Sequence, residues 1–266
     1  MKKNTLTIFG IIIAIICIAI RTVTLMYVTE GETGFFVSRL IPMGIALCAA
    51  TFILTFVASA FSFSAKQKAE NCFVISKTSG VFSVILGVCL LCYCLGFGSH
   101  PYAMEWQHTL EIVSGILSGV WFILYGLTAF VDIKLPALTA IIPVIHWICR
   151  IMVVFSAFST TSLVAEHIYS LAALCFVTVF MLMFGKTVSG IAGSKTLICL
   201  FPTAICASIL TLISSVSRLA VTLLNHSEKI HGETPVDIVG IAVGIFILII
   251  TTDISVKETE ETTNDI

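Results

Sequence analysis

The sequence predicts an all-α integral membrane bundle of eight transmembrane helices, and three observations carry that prediction. The 266 residues are 58% apolar and only 11% charged, with a mean hydropathy of +1.09. A soluble domain carries about 25% charge, and a core of ordinary proportions cannot hide this much apolar surface. Apolar stretches near the length of about 20 residues that crosses a bilayer as a helix recur eight times, and every lysine lies outside them. Soluble enzymes, nucleic-acid binders and secreted disulfide scaffolds are excluded together. A net charge of −1 points to no polyanionic partner, so the bilayer is the first partner and nucleic acid is not one.

The spans are Leu6–Val28, Phe36–Phe61, Ser79–Phe97, Gln107–Val131, Pro136–Phe158, Ser162–Gly185, Thr196–Asn225 and Val236–Thr252. The first follows Lys2 and Lys3 as a signal peptide would. No Ala-x-Ala pattern follows, and Ile16 precedes Cys17, so the span is expected to be retained. The third is short and rich in Gly and Cys. Pro202 is expected to begin or kink the seventh, and Pro42 and Pro143 also fall within spans, where a missing N–H opens a local cavity or bends the helix. Nine lysines (Lys2, Lys3, Lys66, Lys68, Lys77, Lys134, Lys186, Lys195 and Lys257) share one side of an eight-span chain, and Lys229 alone takes the other. Positive loops stay cytoplasmic. Both termini are therefore expected inside, with 257–266 a disordered acidic cytoplasmic tail.

Nine of ten cysteines fall within spans, where Cys packs as a small apolar residue; Cys72 sits in a cytoplasmic loop. Cys89, Cys92 and Cys94 spell C-x-x-C-x-C, but residue 94 leaves the face shared by the other two, and no second cluster completes a tetrahedral site. No metal or cofactor is expected.

The two halves share letters in order. Ile12–Ile16 leading to Arg21 matches 141–145 leading to Arg150, Ala46–Thr51 matches Ala173–Thr178, Ser76–Thr78 matches Ser194–Thr196, and Glu111–Ser114 matches Asp237–Gly240. This suggests a duplication into 1–134 (spans one to four) and 135–256 (spans five to eight). Parallel repeats of that kind are frequent in transporters.

Charge placement is the unusual feature. All four arginines (Arg21, Arg39, Arg150 and Arg218) lie within spans, together with Glu111, Glu166 and Asp237. An arginine at the centre of a transmembrane helix costs roughly 2.5–3.5 kcal/mol on insertion scales. The topology places all seven in the outer half, Arg150 deepest, about 14 residues or roughly 21 Å from the cytoplasmic end. The repeat superimposes Arg21 on Arg150, Arg39 on Glu166, His100 on Arg218 and Glu111 on Asp237. Arg150 and Glu166, on consecutive helices, are expected to form the central ion pair. The shallower charges either join them or snorkel and pair to lock helices. His146, one turn before Arg150, is either a proton relay or a hydrogen-bonded core residue.

Ser114-x-x-x-Ser118, Gly115-x-x-x-Gly119 and Gly240-x-x-x-Gly244 mark close helix packing within the bundle, or else a seam between two copies. Tyr27, Tyr102 and Trp106 sit where interfacial aromatics belong, whereas Trp121 and Trp147 read as packing residues.

Arg150-x-x-x-x-Phe155, Ser162-x-x-x-Glu166-His167, Leu171 and Ser217-Arg218-Leu219 together resemble a group of uncharacterised bacterial polytopic membrane proteins. The resemblance implies a bacterial cytoplasmic membrane and adds no activity. The leading expectation is a polar site in the outer half of the bundle that handles a small anionic or zwitterionic solute, in a transporter or its membrane subunit. The alternative is a scaffold or signalling subunit, contacting partner proteins, whose charges fix helix packing. No H-E-x-x-H or G-x-S-x-G pattern points to an enzyme.

Overall fold

The computed structural model describes residues 3–30, 34–64, 75–97, 105–132, 135–160, 165–226, 230 and 236–261. Eight helices follow in order. α1 is Lys3–Val23, ending in a π-helical turn, Thr24–Val28. α2 is Ile41–Ser64, entered through the 3-10 turn Ser38–Leu40. α3 is Lys77–Cys92, continued by the π-helical turn Tyr93–Phe97, and α4 is Glu105–Leu127. α5 is Ile141–Thr160, entered through Ala137–Ala140, and α6 is Ala165–Val188. α7 is Ser194–Leu223 and α8 is Ile238–Glu261. Seven contain an apolar run long enough to cross a membrane; that of α8, Ile238–Thr251, is shorter. The chain is a multi-pass, membrane-type helical bundle.

Local signals set several ends. Ser76 caps α3 by accepting from Ser79 N. Gly190 takes a φ of 71° after α6, which lets Ile191 N reach back to Lys186 O at 3.0 Å. The prolines act differently from expectation. Pro42 and Pro143 stand in the first turns of α2 and α5, where their missing N–H has no partner to lose. α7 begins eight residues before Pro202 and runs through it. α8 continues to Glu261, past the point where the tail was expected to lose structure, because extending a formed helix needs no new nucleus and Lys and Glu favour it.

The bundle is inverted relative to a soluble protein. On α4, Leu110, Val113, Leu117, Val120, Leu124 and Leu127 are exposed, while Gln107, Glu111, Ser114, Ser118, three glycines and three aromatics are buried. Large apolar side chains meet lipid, and small or polar ones meet other helices. The glycines settle the packing alternatives: a Cβ on Gly126 would meet Gly80 O, one on Gly119 would meet Gly87 O, and one on Gly244 would meet Leu212. These seams join α3 to α4 and α7 to α8 inside one chain.

Contacts along neighbouring pairs run in opposite order. Across α3–α4, Gly80 meets Gly126 and Gly87 meets Gly119. Across α4–α5, Gln107 bonds Ser156 and Ser114 approaches His146. Across α2–α7, Cys206 approaches Thr55 O and Ser59 bonds Pro202 O. α2 and α6 run the same way, Thr51 meeting Tyr169 and Phe56 meeting Phe176. Successive helices therefore alternate in direction, and the C-terminal ends of odd helices lie with the N-terminal ends of even ones.

α3 to α8 close a ring, each packing on the next and α8 returning to α3, while α1 and α2 pack on each other and on α7. α7 is the hub, 83% of its apolar run being buried. The ring encloses one core, dominated by Trp121, Phe122, Tyr125, Phe180, Phe184 and Phe246; a second core of Ile13, Cys17, Ala58, Tyr169, Phe201 and Ile209 seals α1 and α2 onto it. The packing thus groups the helices two and six, and neither requires nor marks a division at four.

Candidate functional site

The buried charges gather at one end of the bundle. Arg21 and Arg218 lie near the C-terminal ends of α1 and α7, Arg150 is mid-α5, Glu111 is in the second turn of α4, and Asp237 directly precedes α8. Arg39 is not with them: it is exposed in the turn before α2, where an arginine reaches water without burying its charge. The Glu166 side chain, His100, Tyr102 and Cys72 lie outside the described residues.

Among the described residues Arg150 faces Asp237; its expected partner, the Glu166 side chain, lies outside them. Arg150 Nη2 stands 3.8 Å from Asp237 Oδ1, an electrostatic contact too long for a hydrogen bond. The guanidinium also lies 4.9 Å from the centre of the Tyr93 ring and 5.8 Å from that of Trp147. Asp237 is held by two further bonds: Ser215 Oγ donates to Oδ2 at 2.8 Å, and Gly240 N donates to Oδ1 at 2.9 Å. The second is an N-cap bond, so Asp237 both starts α8 and faces Arg150. A Cβ on Gly240 would collide with Ser215 Oγ and Asp237 Oδ2, which is why this position in the turn is glycine.

Arg218 is 1% exposed, and its Nη2 donates to Ser170 Oγ at 2.7 Å; Ser170 in turn meets Ser214 at 3.3 Å. Between these groups a cavity of about 40 Å³ opens among α5, α6, α7 and α8. One water occupies about 10–15 Å³ on this measure, so the space suits a few waters or the head of a small polar solute. Arg150, Ser170, Thr211, Ser214, Ser215 and Asp237 supply its polar wall, and Trp147, Val154, Leu174 and Val177 its apolar one. The aromatic core of the ring closes the bundle beyond it.

The hydroxyl wall was overlooked in the sequence although a signal exists. Thr211, Ser214, Ser215 and Arg218 fall at i, i+3, i+4 and i+7, one helix face. Tyr93 and Tyr169 carried no such signal, because an aromatic in an apolar helix looks like any other.

Arg21 is buried apart from the cavity, its guanidinium carbon 4.5 Å from the centre of the Tyr169 ring, while the Tyr169 hydroxyl bonds Thr51. It ties α1 to α2 and α6. Tyr169→Leu is expected to lower bundle stability by about 1–2 kcal/mol, the size of a desolvated cation–π contact, with Tyr169→Phe retaining most of it; thermal unfolding in detergent measures both. Compared with protein families, with curated proteins and with solved structures, the chain matches none of them.

Proposed function

We propose that the protein binds a small anionic or zwitterionic solute in the α5–α8 cavity and carries it across a bacterial cytoplasmic membrane, by itself or as the membrane subunit of a transporter. The observation that carries this reading is the cavity, a hollow with a wall of hydroxyls beside a guanidinium. Ionisable groups buried in a membrane protein usually mark such a pathway. Four hydroxyls and one arginine can cradle a carboxylate, and Asp237 can receive an ammonium group. The lysine distribution sets both termini inside, which turns the polar end outward and the aromatic core inward: a site reachable from outside and shut from within. Arg150, Asp237 and Arg218 are the residues on which this reading rests.

The test is thermal unfolding of the purified full chain against acetate, the free amino acid glycine and taurine. A bound solute stabilises the fold by about 2.7 kcal/mol at a hundredfold excess over Kd. Ser214→Leu, which fills the cavity, is expected to abolish that stabilisation while the unliganded protein unfolds within a few degrees of wild type. A solute shift unchanged by Ser214→Leu would place the binding elsewhere and defeat the proposal.

One observation favours the scaffold reading: Asp237 has a structural task as the cap of α8. On that reading the charges fix helix packing for partner subunits, and substitutions reduce folded protein without touching solute.

A further inference from the structure

Along α4, Gln107, Glu111, Ser114 and Ser118 fall at i, i+4, i+7 and i+11 and share one face. Glu111 is 1% exposed. Among the described residues neither of its carboxyl oxygens accepts a hydrogen bond, and Gln107 Oε1, Ser118 Oγ and His146 Nε2 are buried in the same condition. A line of polar atoms left without hydrogen-bond partners is not what a purely structural seam requires, since native folds satisfy nearly all such groups.

The groups facing Glu111 come from its own helix and from both neighbours. His108 Nδ1 lies 4.0 Å from Oε2, and its side chain is 29% exposed. From the end of α3, Cys94 packs against Gly115, within electrostatic reach of both Glu111 and Arg150, and Tyr93 stands beside Arg150. From α5, His146 meets Ser114 Oγ at 3.4 Å. The α4–α5 register, Ser114 to His146 and Gln107 to Ser156, sets Arg150 level with Glu111. Arg150 is thus flanked by Asp237 on one side and the α4 face on the other.

We infer that Glu111 is a proton-binding site, loaded from the outer side through His108. The proton taken by the carboxylate oxygen comes from the half-exposed His108 imidazole, which regains it from water. Imidazoles and a thiol around the carboxyl are poor company for Na⁺ or Ca²⁺, which take shells of oxygen ligands, so the proton is the ion that fits. Protonating Glu111 removes a negative charge level with Arg150 and leaves the guanidinium to Asp237 or an anionic solute. That coupling rests on the α5–α8 solute reading; proton binding itself does not.

A hydrophobic carbodiimide, which adds to protonated carboxyl groups in apolar surroundings, tests the site on the wild-type chain in detergent. The expected result is an adduct mapped by mass spectrometry to Glu111, several-fold weaker as pH rises, absent in Glu111→Gln, and shifted in its pH midpoint by His108→Gln. Wild-type protein with no adduct at Glu111 between acid and alkaline pH, or with one insensitive to pH, overturns the inference whether or not Glu111→Gln folds. The solute measurement keeps the readings apart. Lost labelling with intact solute stabilisation sinks the proton site alone, and intact labelling without any solute effect sinks the transport reading alone.

Discussion

Gly87→Leu is expected to leave almost no folded protein. A Cβ at this position would stand 2.5 Å from Gly119 O and 3.0 Å from Ile123 N. Both obstacles are backbone, so no side chain can turn aside. Overpacking costs about 1–3 kcal/mol where neighbours can shift, and more is expected where they cannot. Helices in lipid gain nothing from hiding apolar surface from one another, so close packing is much of what joins α3 to α4. Forcing them apart would open the ring at a pair whose glycines meet backbone to backbone. Gly96→Leu, with nothing within 4 Å of its Cβ direction, is the matched control and is expected to behave as wild type. The monodisperse fraction on size-exclusion chromatography after mild heating measures both. Wild-type behaviour of Gly87→Leu would mean that the α3–α4 seam is not part of the native bundle.

Asp237→Asn is expected to separate function from structure. Asparagine caps a helix about as well as aspartate, so the bond to Gly240 N survives, and the amide NH2 in place of the second oxygen can donate to Ser215 Oγ. Only the negative charge facing Arg150 is lost. Solute affinity is expected to fall at least tenfold, about 1.4 kcal/mol, with thermal unfolding little changed. Arg150→Ala should fall further, about a hundredfold, because it removes both the charge and the donor fork that grips a carboxylate. Asp237→Ala adds the loss of the cap, about 1 kcal/mol. Should Asp237→Asn and Arg150→Ala reduce the amount of folded protein and leave uptake per folded molecule intact, the transport reading fails and the scaffold reading stands.

Much of the architecture was legible in one dimension. Span positions agree with the helices within about five residues, even for the short third span and except at the end of α8, because twenty apolar residues in a row have few alternatives. Trp121 and Trp147 are core residues as expected, and Trp106 and Tyr27 are exposed. The concentration of Arg21, Arg150, Arg218, Glu111 and Asp237 at one end of the bundle also follows from counting residues along alternating helices.

The approach of Arg150 to Asp237 did not follow. Depth along a helix axis is a linear quantity, while the direction a side chain faces depends on which helix lies beside it. Arg39 and Arg218 sit at similar depths, yet one ends in the open before α2 and the other is sealed between α6 and α7. Arg150 finds Asp237 through the ring closure of α5 to α8, a relation among helices far apart in the chain. Composition and spacing established that this chain is a multi-pass membrane protein, as alternating helices with their arginines and span-embedded acids toward one end. The hollow beside Arg150, the hub position of α7 and the unsatisfied carboxyl of Glu111 exist only once the helices choose their neighbours. That choice rests on glycines, hydroxyls and ring shapes meeting across space, and a periodicity of apolar letters carries no record of it.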